Sequence, residues 1–279
     1  MEPLTLFFLV LALLAVAMIS GFASGLFGIG GGAIMVPALH YAFKAIGVAD
    51  QAVMHAAVAT SAAVIIVNSW RSVRKHASRG SVDMEILLPK QLWRSYGLWI
   101  GVGSFVAASW IAPKLSGDVL TALFAAIAFF VALQFIFGRP DFVVRDTVPG
   151  GAAPPIVGSA VGGLSALMGI GGGSLSVPLL SLCNVPIHRA IGTASGFGLA
   201  IAVPATVGFI FSGWDVSGRP ALSLGYVNLA GFAIIAGVSL FFVPLGVKSA
   251  HALDSEKLKQ IFGICLMLVA LNMLRESVF

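Results

Sequence analysis

The sequence predicts an all-α polytopic membrane protein: two inverted-topology repeats with about 8–10 transmembrane or half-spanning helices. Three observations lead there. Charge is scarce and clustered, a glycine motif occurs twice, and corresponding loops of the two halves carry opposite charge bias. Only 10% of the 279 residues are charged against 58% hydrophobic, and mean hydropathy is +1.01. A soluble globular chain carries about 25% charged residues. Pro3–Phe43 and Thr147–Ile187 each run 41 residues without Asp, Glu, Lys or Arg, and Ala190–Trp214 and Ala221–Val247 are also uncharged. A helix needs about 20 apolar residues to cross the hydrocarbon. These runs exclude a soluble enzyme, a disordered chain and a nucleic-acid binder. The alternation of an outer-membrane barrel is absent. The net charge of +5 resides in loops between apolar segments, where membrane topology accounts for it. The lipid bilayer is therefore the expected surrounding, and no nucleic-acid partner is expected.

The first apolar segment, about 4–27, has no basic n-region and no A-x-A-like site after it, so it reads as a retained helix. Gly28-Ile29-Gly30-Gly31-Gly32 interrupts it. Gly costs about 1 kcal/mol against Ala in a helix interior. A short segment, about 33–46, restarts with Pro37 in its opening turns, where a missing N–H costs least. The third, about 51–70, ends at a basic loop holding Arg71, Arg74, Lys75, Arg79, Lys90 and Arg94. Segments at about 95–112 and 119–137 complete the half. Arg139-Pro140-Asp141 to Pro149-Gly150-Gly151 is charged, then rich in Pro and Gly. It divides the chain into a first membrane repeat (1–140), a linker (141–151) and a second membrane repeat (152–279). The second half again offers five segments, at about 153–168, 174–185, 188–211, 226–247 and 260–278. Its first two are short enough for half-spans. Trp70, Trp93, Trp99, Trp110 and Trp214 fall mostly near segment ends, as aromatic belts do. Cys183 and Cys265 lie inside apolar segments with no CxxC spacing, so neither a disulfide nor a metal site is expected.

The duplication rests on two matches in order. Gly28-Ile29-Gly30-Gly31-Gly32 with Val36-Pro37 returns as Gly169-Ile170-Gly171-Gly172-Gly173 with Val177-Pro178. His55 and Thr60 return as His188 and Thr193. The offsets are 141 and 133, and the missing eight residues fall in the loop around Lys44–Asp50. Charge then sets orientation. The loop after the third segment holds six basic residues, whereas its counterpart, Ser212–Gly225, holds only Arg219. The next loop reverses this: Lys114 alone in the first half, Lys248, Lys257 and Lys259 in the second. Opposite orientation predicts that 71–94 and 248–259 face the cytoplasm and 213–224 the outside. Inverted repeats are a transporter architecture with a midplane site.

A helix that restarts after a glycine break presents unpaired N–H groups and the positive end of its dipole, an anion site without a charged side chain. The competing reading is close helix packing, for which Gly21/Gly25 and Gly158/Gly162 are the expected pairs. Duplication in opposite orientations favours the functional reading. Gly28-x-Gly30-x-x-Ala33 also resembles a dinucleotide fingerprint, with Asp50 near the acidic position. That motif needs a βαβ context, which a long uncharged run does not supply, and the second copy has Ile191 in place of the acid.

A GIGGG-x4-P cluster in each half, a Thr some twenty residues later and a basic loop after the third segment resemble the TauE/SafE sulfite exporter family. Ala57-Val58-Ala59-Thr60-Ser61 and Arg79-Gly80-Ser81-Val82-Asp83 are similar to its patterns in the first half. Ala190-Ile191-Gly192-Thr193-Ala194 and Val227-Asn228 stand at the matching places in the second. Ala194 replaces Ser61, so a symmetric hydroxyl pair is lost there. The resemblance covers nearly the whole chain and implies export of sulfite, sulfoacetate or a related small anion.

The expected substrate-binding residues are Gly28, Gly30, Gly31, Gly32, Thr60, Ser61, Gly169, Gly171, Gly172, Gly173, Ser174 and Thr193, around a cavity between two helix N-termini. Ser174 either caps the second broken helix or donates to a ligand. Asn68 and Ser195 read as polar groups bonded within their own helices. His55, His188 and Arg189 are candidates for attracting the anion or titrating with it, against the plainer reading of solvated interface residues. No carboxylate lies deep in a span. No catalytic constellation, metal ligand set or cofactor motif is visible. The expected protein is a non-enzymatic, multi-pass permease of the bacterial cell inner membrane that exports a small sulfur-containing anion. Uptake of such an anion or another solute, and a membrane-embedded enzyme or assembly factor, are the alternatives. The sequence leaves a homodimer open.

Overall fold

The computed structural model describes residues 3–138, 143–250 and 255–278. The start of the expected linker (139–142) and part of the second basic loop (251–254) lie outside the described residues. The first half forms α1 (Pro3–Phe27), α2 (Gly32–Ala45), α3 (Asp50–Ala77), a single turn α4 (Met84–Leu87), α5 (Tyr96–Val106) and α6 (Gly117–Phe137). The second forms α7 (Ser159–Met168), α8 (Gly173–Leu182), α9 (Ile187–Ser212), α10 (Leu229–Ser249) and α11 (Ser255–Val278). A π-turn, Ala107–Ile111, extends α5, and another, Pro154–Gly158, leads into α7. Among the described residues, six helices are long and apolar enough to cross a membrane, while Pro154–Met168 and Gly173–Leu182 are shorter apolar helices.

The chain is therefore an all-α polytopic membrane protein. One small departure is a hairpin before α10. There β1 (Ser223–Leu224) pairs antiparallel with β2 (Val227–Asn228) around Gly225, whose φ of +57° suits the tight turn.

Small residues set the packing. α1 and α10 run side by side in one direction, with Gly21 against Ser239 and Gly25 against Val243. α7 and α5 do the same, with Gly158 against Trp99 and Gly162 against Ile100. These are the glycines expected to let helix axes approach. α3 is the most enclosed span, with 89% of its membrane window buried, and α9 lies along it. α11 packs on α6, where the rings of Phe135 and Phe262 meet that of Phe27 of α1 in a tilted trio.

Cross-contacts define two ends of the bundle. At the hairpin end, Gly117 lies against Asp50, Gly218 against Ala49, and His55 against Tyr226. At the basic end, Arg79 donates to Val247 O at 3.0 Å and Tyr96 to Pro149 O at 2.8 Å. The first basic loop and the last turn of α10 thus share one end.

Candidate functional site

The two glycine clusters meet inside the bundle, backbone against backbone. A Cβ on Gly171 would fall 2.6 Å from Ile29 O, and one on Gly173 2.5 Å from Gly28 O. Gly30 faces Gly171, and Gly32 abuts the Gly169 carbonyl. The pairs are 28 with 173, 30 with 171, and 32 with 169, so numbering runs in opposite directions through the crossing. Gly28 corresponds to Gly169 and Gly32 to Gly173, so exchanging the halves returns the same contacts. One hydrogen bond spans the crossing, from Gly171 N–H to Ile29 O at 3.1 Å. Any side chain here would push the backbones apart. Gly30 (φ +72°) and Gly169 (φ +60°) also hold left-handed backbone that a Cβ disfavours. Gly31 packs against Ser20, and Gly172 against Ala194 and Phe197.

The two threonines build a second reciprocal contact. Thr60 Oγ1 accepts from Asn228 N–H at 2.9 Å, and Thr193 Oγ1 accepts from Asp83 N–H at 2.9 Å. Both donors belong to helix caps. Asn228 Oδ1 accepts from Gly231 N–H and opens α10, and Asp83 Oδ1 accepts from the N–H groups of Glu85 and Ile86 and opens α4. Each threonine therefore ties the third long helix of its own half to a cap in the other half.

Other hydroxyls occur once. Ser61 donates to Gly169 O at 2.7 Å, a bond that Ala194 cannot copy. Ser174 is not a cap: α8 begins at Gly173, Gly172 is its N-cap, and Ser174 Oγ points back to Gly171 O at 3.3 Å. The helix starts one residue earlier than expected, which moves Ser174 inside its first turn. Asn68 is not confined to its own helix either. Its Nδ2 donates to Gly30 O at 3.3 Å and its Oδ1 accepts from Ser239 at 2.7 Å. Ser195 does donate to its own helix, at Ile191 O, and also meets Ser72. Ser69, Ser72 and His76, buried along the same side of α3 as Asn68, went unnoticed in the sequence. The signal was available: at the 133-residue offset their counterparts on α9 are Ala202, Ala205 and Phe209.

The cavity expected between two helix N-termini is closed. Thr60, Ser61 and Thr193 are fully buried with their hydroxyls engaged by backbone, and glycines on both sides leave nothing to hold the clusters apart. The opening lies beside the crossing. A cleft of about 720 Å³ at the basic end reaches Gly173 and Ile191, walled by Phe27, Gln134, Ser181 and Gln260. At the hairpin end the corresponding helix, α2, is tied to α11. Glu276 sits 3.6 Å from His40 and 3.8 Å from Lys44, and Asn272 donates to Tyr41.

The histidines matched in sequence do not meet in space. His55 is buried at the hairpin end, with Nε2 2.9 Å from Ala112 O, Nδ1 3.0 Å from Gln51 O and its ring stacked on Tyr226. Burial pushes the Tyr226 phenol above its ordinary range, against the opposing pull of Arg219. His188 is exposed at the basic end, and Arg189 pairs with Asp83 at 3.2 Å. These three stand outside the glycine crossing.

Comparison with known proteins agrees along the chain. The family model described as Sulfite exporter TauE/SafE matches residues 13–273. A protein of Haemophilus influenzae named "Probable membrane transporter protein" is 30% identical over 278 residues, covering 96% of this chain and 99% of its own. A "Probable membrane transporter protein" of Methanocaldococcus jannaschii is 26% identical over 264 residues, 94% of each chain. "Probable membrane transporter protein YunE" of Bacillus subtilis is 25% identical over 287 residues, 96% of this chain and 98% of its own. No solved structure matches the chain significantly. Six apolar helices and this coverage describe a multi-pass inner-membrane protein. From residue 13 to residue 273 the chain belongs to the TauE/SafE sulfite exporter family of membrane transporters.

Proposed function

We propose that the protein exports a small oxyanion, sulfite or an organosulfonate such as sulfoacetate, through a site at the glycine crossing of two inverted-topology repeats. The observation that carries this reading is the reciprocal crossing itself, which lies at the floor of a cleft that opens at the basic end, beside α8. Gly173, the first residue of α8, lines that floor, so the positive end of a helix dipole meets the cleft. Neutral N–H donors suit a transporter, because they replace water around an oxyanion without the lasting hold of a fixed Lys or Arg. The loops bearing Arg71–Arg94 and Lys248 lie at the cleft end, which the distribution of basic residues assigns to the cytoplasm. The cleft then faces in, and the Glu276 clasp closes the outer side. At −100 mV inside, each exported negative charge gains about 2.3 kcal/mol, so efflux needs no second ion.

Proteoliposomes loaded with sulfite, thiosulfate, sulfate, sulfoacetate or taurine test the substrate class. Efflux of sulfite or sulfoacetate that follows the imposed potential is expected. Flux of none of them would discard the reading. Orientation has its own test: external thiol reagent should label Ser217→Cys and spare Ser78→Cys in cells. The opposite pattern would reverse the assignment of sides, and labelling of both would end the inverted arrangement.

A further inference from the structure

α3 carries a buried polar face that the glycine crossing does not explain. Asn68, Ser69, Ser72 and His76 are each no more than 1% exposed, all on the basic-end half of the helix. The matched face of α9, Ile201, Ala202, Ala205 and Phe209, is apolar and equally buried. The architecture therefore packs this position without polar groups, and burying them in a membrane span is costly unless they are satisfied. Ser69 Oγ is buried and makes no hydrogen bond. It lies beside the start of α8: a Cβ on Gly198 would strike Ser69 Oγ and sit 3.7 Å from Gly172 N. Ser72 and Ser195 hydroxyls meet at 3.0 Å close by. Gly28 connects this cluster to the cleft floor, touching Gly173 on one side and Ser195 Oγ on the other. The surrounding helices α1, α8 and α9 contain no Asp or Glu, and α3 has only Asp50 at its far end.

We propose that Ser69 and Ser72 of α3, with Ser195 of α9, form an oxyanion subsite against the N-terminal turn of α8, one step inside the cleft floor. The Ser69 O–H is uncommitted, Ser72 can turn its proton from Ser195 to a ligand, Ser195 can do so on releasing Ile191 O, and the helix end adds partial positive charge. A desolvated oxyanion would satisfy the Ser69 hydroxyl, which has no partner within the protein. This rests on the transport reading above and names where the anion goes after the cleft.

The test uses the full chain with Cys183→Ala and Cys265→Ala, and single cysteines at Ser69, Ser72, Ala202 or Ala205. The probe is sulfonatoethyl methanethiosulfonate, a small sulfonate, beside its trimethylammonium analogue, both added at the basic-loop side. The sulfonate should modify Ser69→Cys and Ser72→Cys at least about tenfold faster than the α9 cysteines, and faster than the cation does, a preference set by the charge of the site. Equal rates on α3 and α9, or equal rates for anion and cation, would overturn the subsite. Ser69→Ala and Ser72→Ala should raise the KM for radiolabelled sulfite about tenfold, the loss of one charged hydrogen bond, while Ser69→Thr restores it and Tm stays near wild type. A fall in Tm with unchanged KM would also overturn it. Selective labelling in a protein that moves no sulfite would uphold the subsite and discard sulfite as the cargo. Sulfite transport without selective labelling would do the reverse.

Discussion

The halves agree in backbone and disagree in chemistry. At the crossing, Gly28–Gly173, Gly30–Gly171 and Gly32–Gly169 form a set that exchange of the halves leaves unchanged, and the Thr60–Asn228 and Thr193–Asp83 bonds do the same. A helix away the match ends. Gly21 meets Ser239 where Gly162 meets Ile100, and Asn68 bonds Ser239 where Ile201 joins an apolar cluster with Ile100, Leu87 and Phe197. α2 is clasped to α11 by Glu276, while α8 borders an open cleft. Side-chain asymmetry decides which face carries polar groups and which of α2 and α8 borders the cleft.

The largest expected effects test the agreement. Gly30→Leu and Gly171→Leu should both abolish transport and lower Tm sharply. Overpacking costs about 1–3 kcal/mol, more against backbone that cannot yield. Gly30 has positive φ and Gly171 does not, so Gly30→Leu should be worse by about 1–2 kcal/mol. Equal losses would mean that steric overlap alone governs the crossing.

Next come substitutions that swap the two chemistries. Asn68→Leu removes the amide donor to Gly30 O and the acceptor at 2.7 Å from Ser239, leaving Ser239 only its longer bond to Ala236 O, and should cost about 1–3 kcal/mol. Ile201→Asn puts an amide among apolar side chains and should cost a similar amount. Thermal unfolding in detergent measures both. If Ile201→Asn is neutral, α9 has polar partners that the apolar cluster does not suggest, and the asymmetry weakens.

The threonines should behave as a matched pair with smaller losses. Thr60→Val leaves the buried Asn228 N–H without its acceptor, and Thr193→Val does the same to Asp83 N–H, each costing about 1 kcal/mol. Thr60→Val should be the worse, because Asn228 is buried and Asp83 is half-buried. A loss confined to one of the two would show that only one cap depends on its threonine.

The smallest effect belongs to Arg189. Its pair with Asp83 involves a side chain 53% exposed, and surface pairs contribute about 0–1 kcal/mol. Arg189→Ala should leave Tm nearly unchanged. If Arg189 gathers anions at the basic end, the variant should instead lose the salt dependence of sulfite flux, read as initial rates in low and high salt.

Much of this was legible before the structure. Hydropathy located the apolar segments to within a few residues, except that α3 runs on through the basic residues to Ala77. There Arg71, Arg74 and Lys75 lengthen a helix that apolar content alone ends near Trp70. The repeat also reached further than the glycines suggest, since Gly21, Ser24 and Leu26 return as Gly162, Ser165 and Leu167. The polar face of α3 was hidden because Ser69 and Ser72 are common residues in helices of small side chains, and nothing local distinguishes a buried serine from an exposed one.

The sequence by itself determined a helical membrane protein, the places where helices break and the duplication of those breaks. Those properties follow from how many apolar residues stand in a row and where glycine removes helix preference, both local along the chain. Only the tertiary structure decided that the two breaks close on each other in opposite directions, that each threonine serves the other half's cap, and that His55 and His188 lie at different ends. Those are contacts between residues more than a hundred positions apart, and which surfaces meet depends on how all the helices fill space together.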